Sequence, residues 1–517
     1  MKKTLFSILL IALCSSLLKA QDKTLNVDQV VTLEYKDQPL DKILDDLTHR
    51  YNIKFSYSRE KALLDTGVTI NLVSVPLSKG LNQLLQSHGL DYRIIGEQIV
   101  VRRKKPVPEN EVHFIRGTIV DSQSRLPVPM ASVYMANKSI GTVSNSEGIF
   151  EFFVPFSREA DTLLVSYLGY ESVRIPLDFQ SSDPLLIAMT EKPVVLNELT
   201  ITGEQPSANA IFQMTFENIE KNFPQKPFQL NGFFRQLDNE NGKYVLLIES
   251  AIEIYDKAYH LNDNFNLQEK VAIRQSRVSK NYFKHQQQNF FDYHNTLKQL
   301  LVWNYTRYAN PFVMGRKNFV IDTVSYLDDR PVYVISSTEL KSTGDKLEGF
   351  NRFTLHIDCE TFAIYQIKNE TIAQPGYFIP MRPALIKGDR SKLLKWTSTS
   401  HTYSFRSYLG KMYLSDARSL IKGQIINTDD NAVDREVSNE ELLMINEIIT
   451  DNIQVSTRNL MDKKKGILFQ NTAYDPQFWN DYRQVNLVPL TEKQEQDLEI
   501  EMPLEEQFRL SSKTGSR

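Results

Sequence analysis

"HIDCE" at residues 356–360 brings an imidazole, a thiol and two carboxylates into one short stretch, the side-chain types that ligate zinc. On a β-strand those side chains alternate between faces, and a hairpin turn at Asp358 to Thr361 already accounts for the first acid. Cys359 as a nucleophile needs a base within reach and electropositive surroundings, whereas His356, three residues earlier on a strand, points away. "KHQQQNFFDYH" offers His285 and His294 nine residues apart, with Asp292 and Tyr293 between them. The plainer use of so glutamine-rich a stretch is a polar loop or helix surface. Eight aromatics crowd residues 282–308 and would line a groove or, more commonly, form a helical cover over a sheet. The other histidines are dispersed, and no HExxH pair occurs. The sequence names no catalytic, cofactor-binding or metal-binding residue, so a non-enzymatic protein without a cofactor is expected.

The elements that would position such residues belong to several domains, because 517 residues exceed one ordinary core. Hydrophobic residues make up 41% of the chain, ample material for those cores. The net charge is -3, and the mild acidity argues against nucleic acid as a partner. Lys2 and Lys3, the apolar run "LFSILLIALCSSLL" and "LKA" read as a signal peptide over residues 1–20, cleaved near Ala20. The run is short for a membrane span of ~30 Å, and no later stretch is long and apolar enough for one. Cys14 as a lipid anchor is disfavoured by the bulky Leu13 before it. Cleavage leaves Cys359 as the one thiol, so stability must come from packing rather than a disulfide.

"VTLEYKDQPLDKILDDL" from Val31 recurs 37 residues later as "VTINLVSVPLSKGLNQLL". Val31, Leu33, Pro39, Leu40, Leu44, Leu47 and Ile53 correspond to Val68, Ile70, Pro76, Leu77, Leu81, Leu84 and Leu90. The pattern predicts two strand-helix-strand units, proline at each helix start, and one shared core that neither half could build alone. Residues 28–104 resemble the secretin and TonB N-terminus short domain. That resemblance implies a periplasmic or outer-membrane-associated location and contacts with envelope proteins.

"KKPVPENE" is a linker, set at residues 105–111. The runs "FIRGTIVD", "ASVYMA", "GTVSNSEGIFEFFV", "DTLLVSYLGYESVRI" and "PLLIAMT" predict an all-β sandwich, with Gly148 taking a positive φ before a strand that carries Phe150 and Phe152. Residues 112–191 resemble the carboxypeptidase regulatory-like domain, which implies a transthyretin-like sandwich acting as a spacer or docking unit. A zinc peptidase, suggested only by that family's name, lacks a ligand pair of suitable spacing here. Residues 192–206 form a second linker whose "PVVLNELTITG" resembles the segment leading into the plug of TonB-dependent transporters. The roughly 310 residues beyond it are too few for a plug and a 22-stranded barrel.

"SANAIFQMTFENIEKNFP" predicts a helix closed by Pro224. Long period-two runs follow over residues 207–490, with hairpin turns placed at Asp328 and Asp329, after Asp358, and at Gly410. In "KYVLLIESAIEIYD" the alternation predicts one wet face bearing Glu249 and Glu253. Such hairpins predict a large antiparallel sheet with helical cover. They resemble the lipoprotein-carrier half-barrel, which implies a hollow able to take an acyl chain. A small membrane barrel is the disfavoured alternative. "YDPQFWNDYRQVNLVPL" is similar to the end of multi-module envelope proteins of Bacteroidota, and residues 491–517 read as a charged, frayed tail.

The whole is expected to be a multi-domain α+β and all-β protein of the cell envelope that docks an outer-membrane transporter or regulator. Two alternatives stand beside it: a lipid or lipoprotein carrier, and an accessory or signalling component related to TonB-dependent transporters.

Overall fold

The computed structural model describes residues 29–57, 67–86, 90–95, 98–103, 112–135, 140–155, 162–177, 184–192, 206–259, 267–279, 295–302, 304, 317–343, 346–379, 384–386, 389–453, 459–470, 474–482 and 487–511. These fall into two compact units, one within Met1–Pro106 together with Glu499–Glu506, the other within Val107–Leu498 together with Gln507–Arg517. The signal peptide and both linker stretches lie outside the described residues, apart from Lys192 and Pro206 at the ends of the second linker.

In the first unit the repeat folds twice. Strand β1 (Val30–Pro39), helix α1 (Leu40–Tyr51) and strand β2 (Lys54–Tyr57) are echoed by β3 (Gly67–Pro76), α2 (Leu77–Gln86) and β4 (Leu90–Ile95). The equivalent strands β1 and β3 pair antiparallel, and β2 and β4 both pair with β5 (Gln98–Arg103), the first parallel and the second antiparallel. Each proline is the last strand residue rather than the first helical one, and its missing N–H costs nothing there. The left-handed Asn52 (φ 54°) ends α1. Val31, Leu33, Leu40, Leu44, Leu47 and Ile53 share one buried cluster with Val68, Ile70, Leu77, Leu81, Leu84 and Leu90. The repeat breaks where Ile43 corresponds to Gly80, because a Cβ at Gly80 would stand 2.9 Å from Leu33 Cδ1.

The second unit opens with seven strands in two sheets, β11-β10-β7-β8 and β12-β6-β9. They comprise β6 (Val112–Asp121), β7 (Ser132–Met135), β8 (Gly141–Val143), β9 (Ile149–Pro155), β10 (Thr162–Ser166), β11 (Val173–Pro176) and β12 (Leu185–Met189). Phe150 and Phe152 of β9 face Val133, Leu163 and Val165 across a shared core. Gly148 has φ +74°, and a Cβ there would meet the Ile119 carbonyl oxygen at 2.3 Å.

Helices α3 (Ala208–Glu217, capped by the Ser207 hydroxyl) and α4 (Ile219–Asn222) precede the large sheet. Its strands are β13 (Phe228–Glu240), β14 (Lys243–Asp256), β15 (Lys270–Val278), β16 (Val320–Leu327), β17 (Arg330–Thr343), β18 (Lys346–Asp358), β19 (Ile364–Ala373), β20 (Ala384–Ile386), β21 (Asp389–Tyr408), β22 (Lys411–Asn427) and β23 (Val433–Ile449). They run in the order β15-β14-β13-β23-β22-β21-β19-β18-β17-β16, with β20 added beside β21, so the sheet is open and not a closed barrel. The last strand returns to sit beside the first. Hairpin turns at Asn241–Gly242, Asp328–Asp329 and Leu409–Gly410 have positive φ at both residues, the twist that two-residue hairpins favour.

Helix α5 (Thr296–Val302), α3 and α4 cover one face, here called inner, with Ile211, Phe223, Leu297 and Leu300 in its core. Two sequence expectations fail on the other face. Glu249 is not wet: it is 1% exposed, because α6 (Pro476–Tyr482) sets Trp479 and Tyr482 against Phe233 and Ala251. The charged tail is not frayed where it is described, since α7 (Glu492–Leu498) and α8 (Leu504–Ser511) are helical. Its apolar residues are widely spaced, but Leu498 and Phe508 bury, and the Asp497 carboxylate accepts from the Tyr244 N–H at 3.1 Å.

Candidate functional site

The "HIDCE" stretch builds a hairpin. Asp358 Oδ1 accepts from the Glu360 and Thr361 N–H groups at 3.0 and 2.7 Å and from Thr361 Oγ1 at 2.9 Å, while Arg330 Nε pairs with Oδ2 at 2.8 Å. Burial, then the Lys368 charge, lowers the His356 imidazole to about 4 against the pull of Asp322, so the ring is neutral. Burial and the neighbouring Asp358 push the Cys359 thiol up to about 12, which leaves it protonated and a poor nucleophile. No group of three or more His, Cys, Asp or Glu among the described residues is arranged to hold a metal. His285, Asp292, Tyr293, His294 and Cys14 lie outside the described residues. Of the aromatic-rich stretch, residues 295–302 and 304 are described, and α5 within it covers the sheet.

The inner face also carries a polar band that sequence reasoning missed. Cross-strand register sets Asn369, His401, Ser419, Glu441 and Gln236 in one row across five strands, one step from the apolar row Ile367, Tyr403, Ala417, Leu443 and Phe234. Asp238 and Asn439, opposite one another, lie one step further on. Asp238 Oδ1 accepts from Asn439 Nδ2 at 2.6 Å and from Gln236 Nε2 at 3.2 Å, and Gln236 Oε1 accepts from the Thr296 hydroxyl of α5 at 3.0 Å. Glu441 is 6% exposed, and burial with the like charge of Asp238 pushes its carboxyl up to about 8. The available signal was the dipeptide Glu440-Glu441, since on a strand one of two adjacent carboxylates must face inward.

A pocket at the other end of this face, lined by Phe228, Leu230, Tyr259, Leu301, Met412 and Tyr413, has a volume of about 30 Å³. That is water-sized, against the several hundred Å³ of usual ligand sites.

The sandwich, expected as a spacer or docking unit, is fixed onto the sheet. Tyr134 Oη donates to Asp328 Oδ2 at 3.1 Å, the Gly169 N–H donates to the Tyr326 carbonyl at 2.9 Å, and Val143 joins Met444 and Val488 in one buried cluster. Gly141 stands where a Cβ would meet an Arg406 guanidinium nitrogen at 2.5 Å, and burial lowers that guanidinium to about 10.

With this geometry in view, comparison with known proteins identifies two stretches. Residues 115–201 match the CarboxypepD_reg-like domain. The CarboxypepD_reg-like match runs from within β6 past β12, over the two-sheet module now docked on Asp328 and Met444. Residues 32–101 match the model described as FecR, C-terminal, within the span for which the secretin and TonB short domain was expected. Neither model describes an enzyme. No curated protein matches the chain.

Among solved structures, an outer membrane lipoprotein-sorting protein domain from Vibrio parahaemolyticus is 8% identical, covering 47% of this chain and 93% of that one at a TM-score of 0.20. A membrane-associated protein of unknown function from Bacteroides fragilis is 9% identical, covering 66% and 99% at 0.13. The ferripyoverdine receptor of the outer membrane of Pseudomonas aeruginosa is 10% identical, covering 84% and 60% at 0.13. TM-scores this low carry no argument about fold or function. No helix of the described residues is long and apolar enough to cross a membrane, which says nothing of strands.

Proposed function

We propose that this is a non-enzymatic protein of the cell envelope that docks partner proteins at the periplasmic side of the outer membrane, with a transporter or its regulator as the first partner. The observation that carries the reading is the FecR, C-terminal match over residues 32–101, which falls on a duplicated module with its own buried core. A module with its own core needs no further packing to fold, and the match favours regulation over catalysis. Limits of 28–104, 112–191 and 207–490 for the three folded parts, and cleavage near Ala20, belong to the same proposal. The acyl-carrier alternative draws less support, because the inner face near Phe228 and Tyr413 offers only a water-sized space.

The test is affinity purification of the full chain from envelope fractions after reversible cross-linking, beside a variant lacking residues 28–104. Recovery of an outer-membrane transporter or its regulator with the full chain, and its loss with the deletion, is expected. Association that survives the deletion unchanged would overturn the docking role of this module.

A further inference from the structure

We infer that the inner face of the large sheet carries a binding site for a hard cation of the calcium type, built from Glu441, Asp238, Asn439 and Ser419. The four residues come from three adjacent strands, Asp238 from β13, Asn439 and Glu441 from β23 and Ser419 from β22. Register places them on one face: Glu441 lies opposite Ser419, Asp238 lies opposite Asn439, and Asn439 and Glu441 are two apart on one strand. Directly opposed side chains on a sheet start about 5 Å apart, within reach of one ion whose ligands stand about 2.4 Å from it.

Two carboxylates alone would not make a site; the neutral groups beside them supply the second observation. The Ser419 hydroxyl, on a residue 4% exposed, has no hydrogen-bond partner. Asn439, 0% exposed, spends its amide N–H on Asp238 and leaves its own Oδ1 without one. Buried polar atoms are nearly always satisfied, so two bare acceptors flanking the same carboxylates are the groups that a bound cation would complete. The charge acting on Glu441 is that of Asp238, a like charge and not a guanidinium or ammonium.

The donors are oxygen only and two of them are carboxyl groups, which selects a hard divalent ion over a soft metal. Side chains of three kinds, fixed by strand register, give an irregular shell that calcium tolerates and magnesium does not. Bound there, the ion would tie β13 to β23 and β22, where the chain's last strand inserts beside its first.

The full chain, stripped with EDTA and dialysed, is titrated with calcium chloride by calorimetry, with thermal melts in parallel. One calcium per chain and a rise in Tm of about 3 °C or more at saturation are expected. Glu441→Gln, nearly isosteric, should keep the parent's circular dichroism and weaken calcium about tenfold or more, and Ser419→Ala should weaken it roughly threefold. No saturable uptake by the parent overturns the site, as does binding that neither substitution weakens. If Glu441→Gln does not fold, Ser419→Ala decides, and unchanged affinity in that variant overturns the site.

Discussion

Arg235 and Glu249 face each other across β13 and β14, with guanidinium Nε and Nη2 both donating to Oε1 at 2.8 and 2.6 Å. Arg277 from β15 donates Nε to the second oxygen at 2.5 Å, and its guanidinium lies 4.3 Å from the Trp479 ring centroid and 5.0 Å from that of Phe508. The carboxylate is thus bracketed by two cations under a lid made from the chain's C-terminal helices. The lid's rings pack on a guanidinium as well as on the apolar Phe233 and Ala251.

Breaking this pair should be costly. Burial pushes the Glu249 carboxyl up, but Arg277 and Arg235 outweigh it and hold it down at about 2. Glu249→Gln leaves two guanidiniums facing each other in a dry site, and a loss of about 3–5 kcal/mol is expected in urea unfolding. The folded value lies below the usual carboxylate range, so the contribution is complete above about pH 4.5 and disappears as pH falls toward 2. The variant and its parent should therefore converge in strong acid.

A second pH effect comes from His356. Its folded value of about 4 lies below the ordinary 6.5, so the unfolded chain takes up the proton first. Stability should be complete above pH 6.5 and fall by about 3 kcal/mol by pH 4 from this residue alone. His356→Phe should flatten that slope in a pH series of thermal melts, and an unaltered slope would remove His356 from the account.

At Gly148 the backbone and the space around it both exclude a side chain. Gly148→Ala must take φ +74° and bring a Cβ to 2.3 Å from the Ile119 carbonyl oxygen. A loss of about 2 kcal/mol or more is expected, read as a lower denaturation midpoint.

The sandwich and the sheet should unfold together. Val143, Met444 and Val488 form one cluster between them, and Val143→Asp would bury a carboxylate there. Calorimetry of the parent should show residues 112–498 melting in one transition, and the variant should split it or lower it by several degrees. A parent that already melts in two steps would contradict a fixed interface.

Much of the fold was legible along the chain because it is written in local periods. Leu40, Leu44 and Leu47 with their echoes Leu77, Leu81 and Leu84 announce two helices and a common core. Asp328 and Asp329 mark a turn whether or not the sandwich docks there, since the hairpin needs residues that accept positive φ. A period cannot say which elements come to lie over a strand. Glu249 alternates with apolar neighbours as a solvent-facing acid would, yet Arg235, Arg277 and α6 arrive from 14, 28 and over 200 residues away to cover it.

The sequence by itself determined the duplicated front module, the run of hairpins and the dispersal of its histidines, because side-chain direction on helices and strands follows from spacing alone. Only the tertiary structure decided that β23 returns between β13 and β22, which sets Glu441 opposite Ser419 and one step from Asp238 and Asn439. Strand order is fixed by long-range pairing free energy and not by any local preference. A site assembled across three strands therefore has no signature in any one of them.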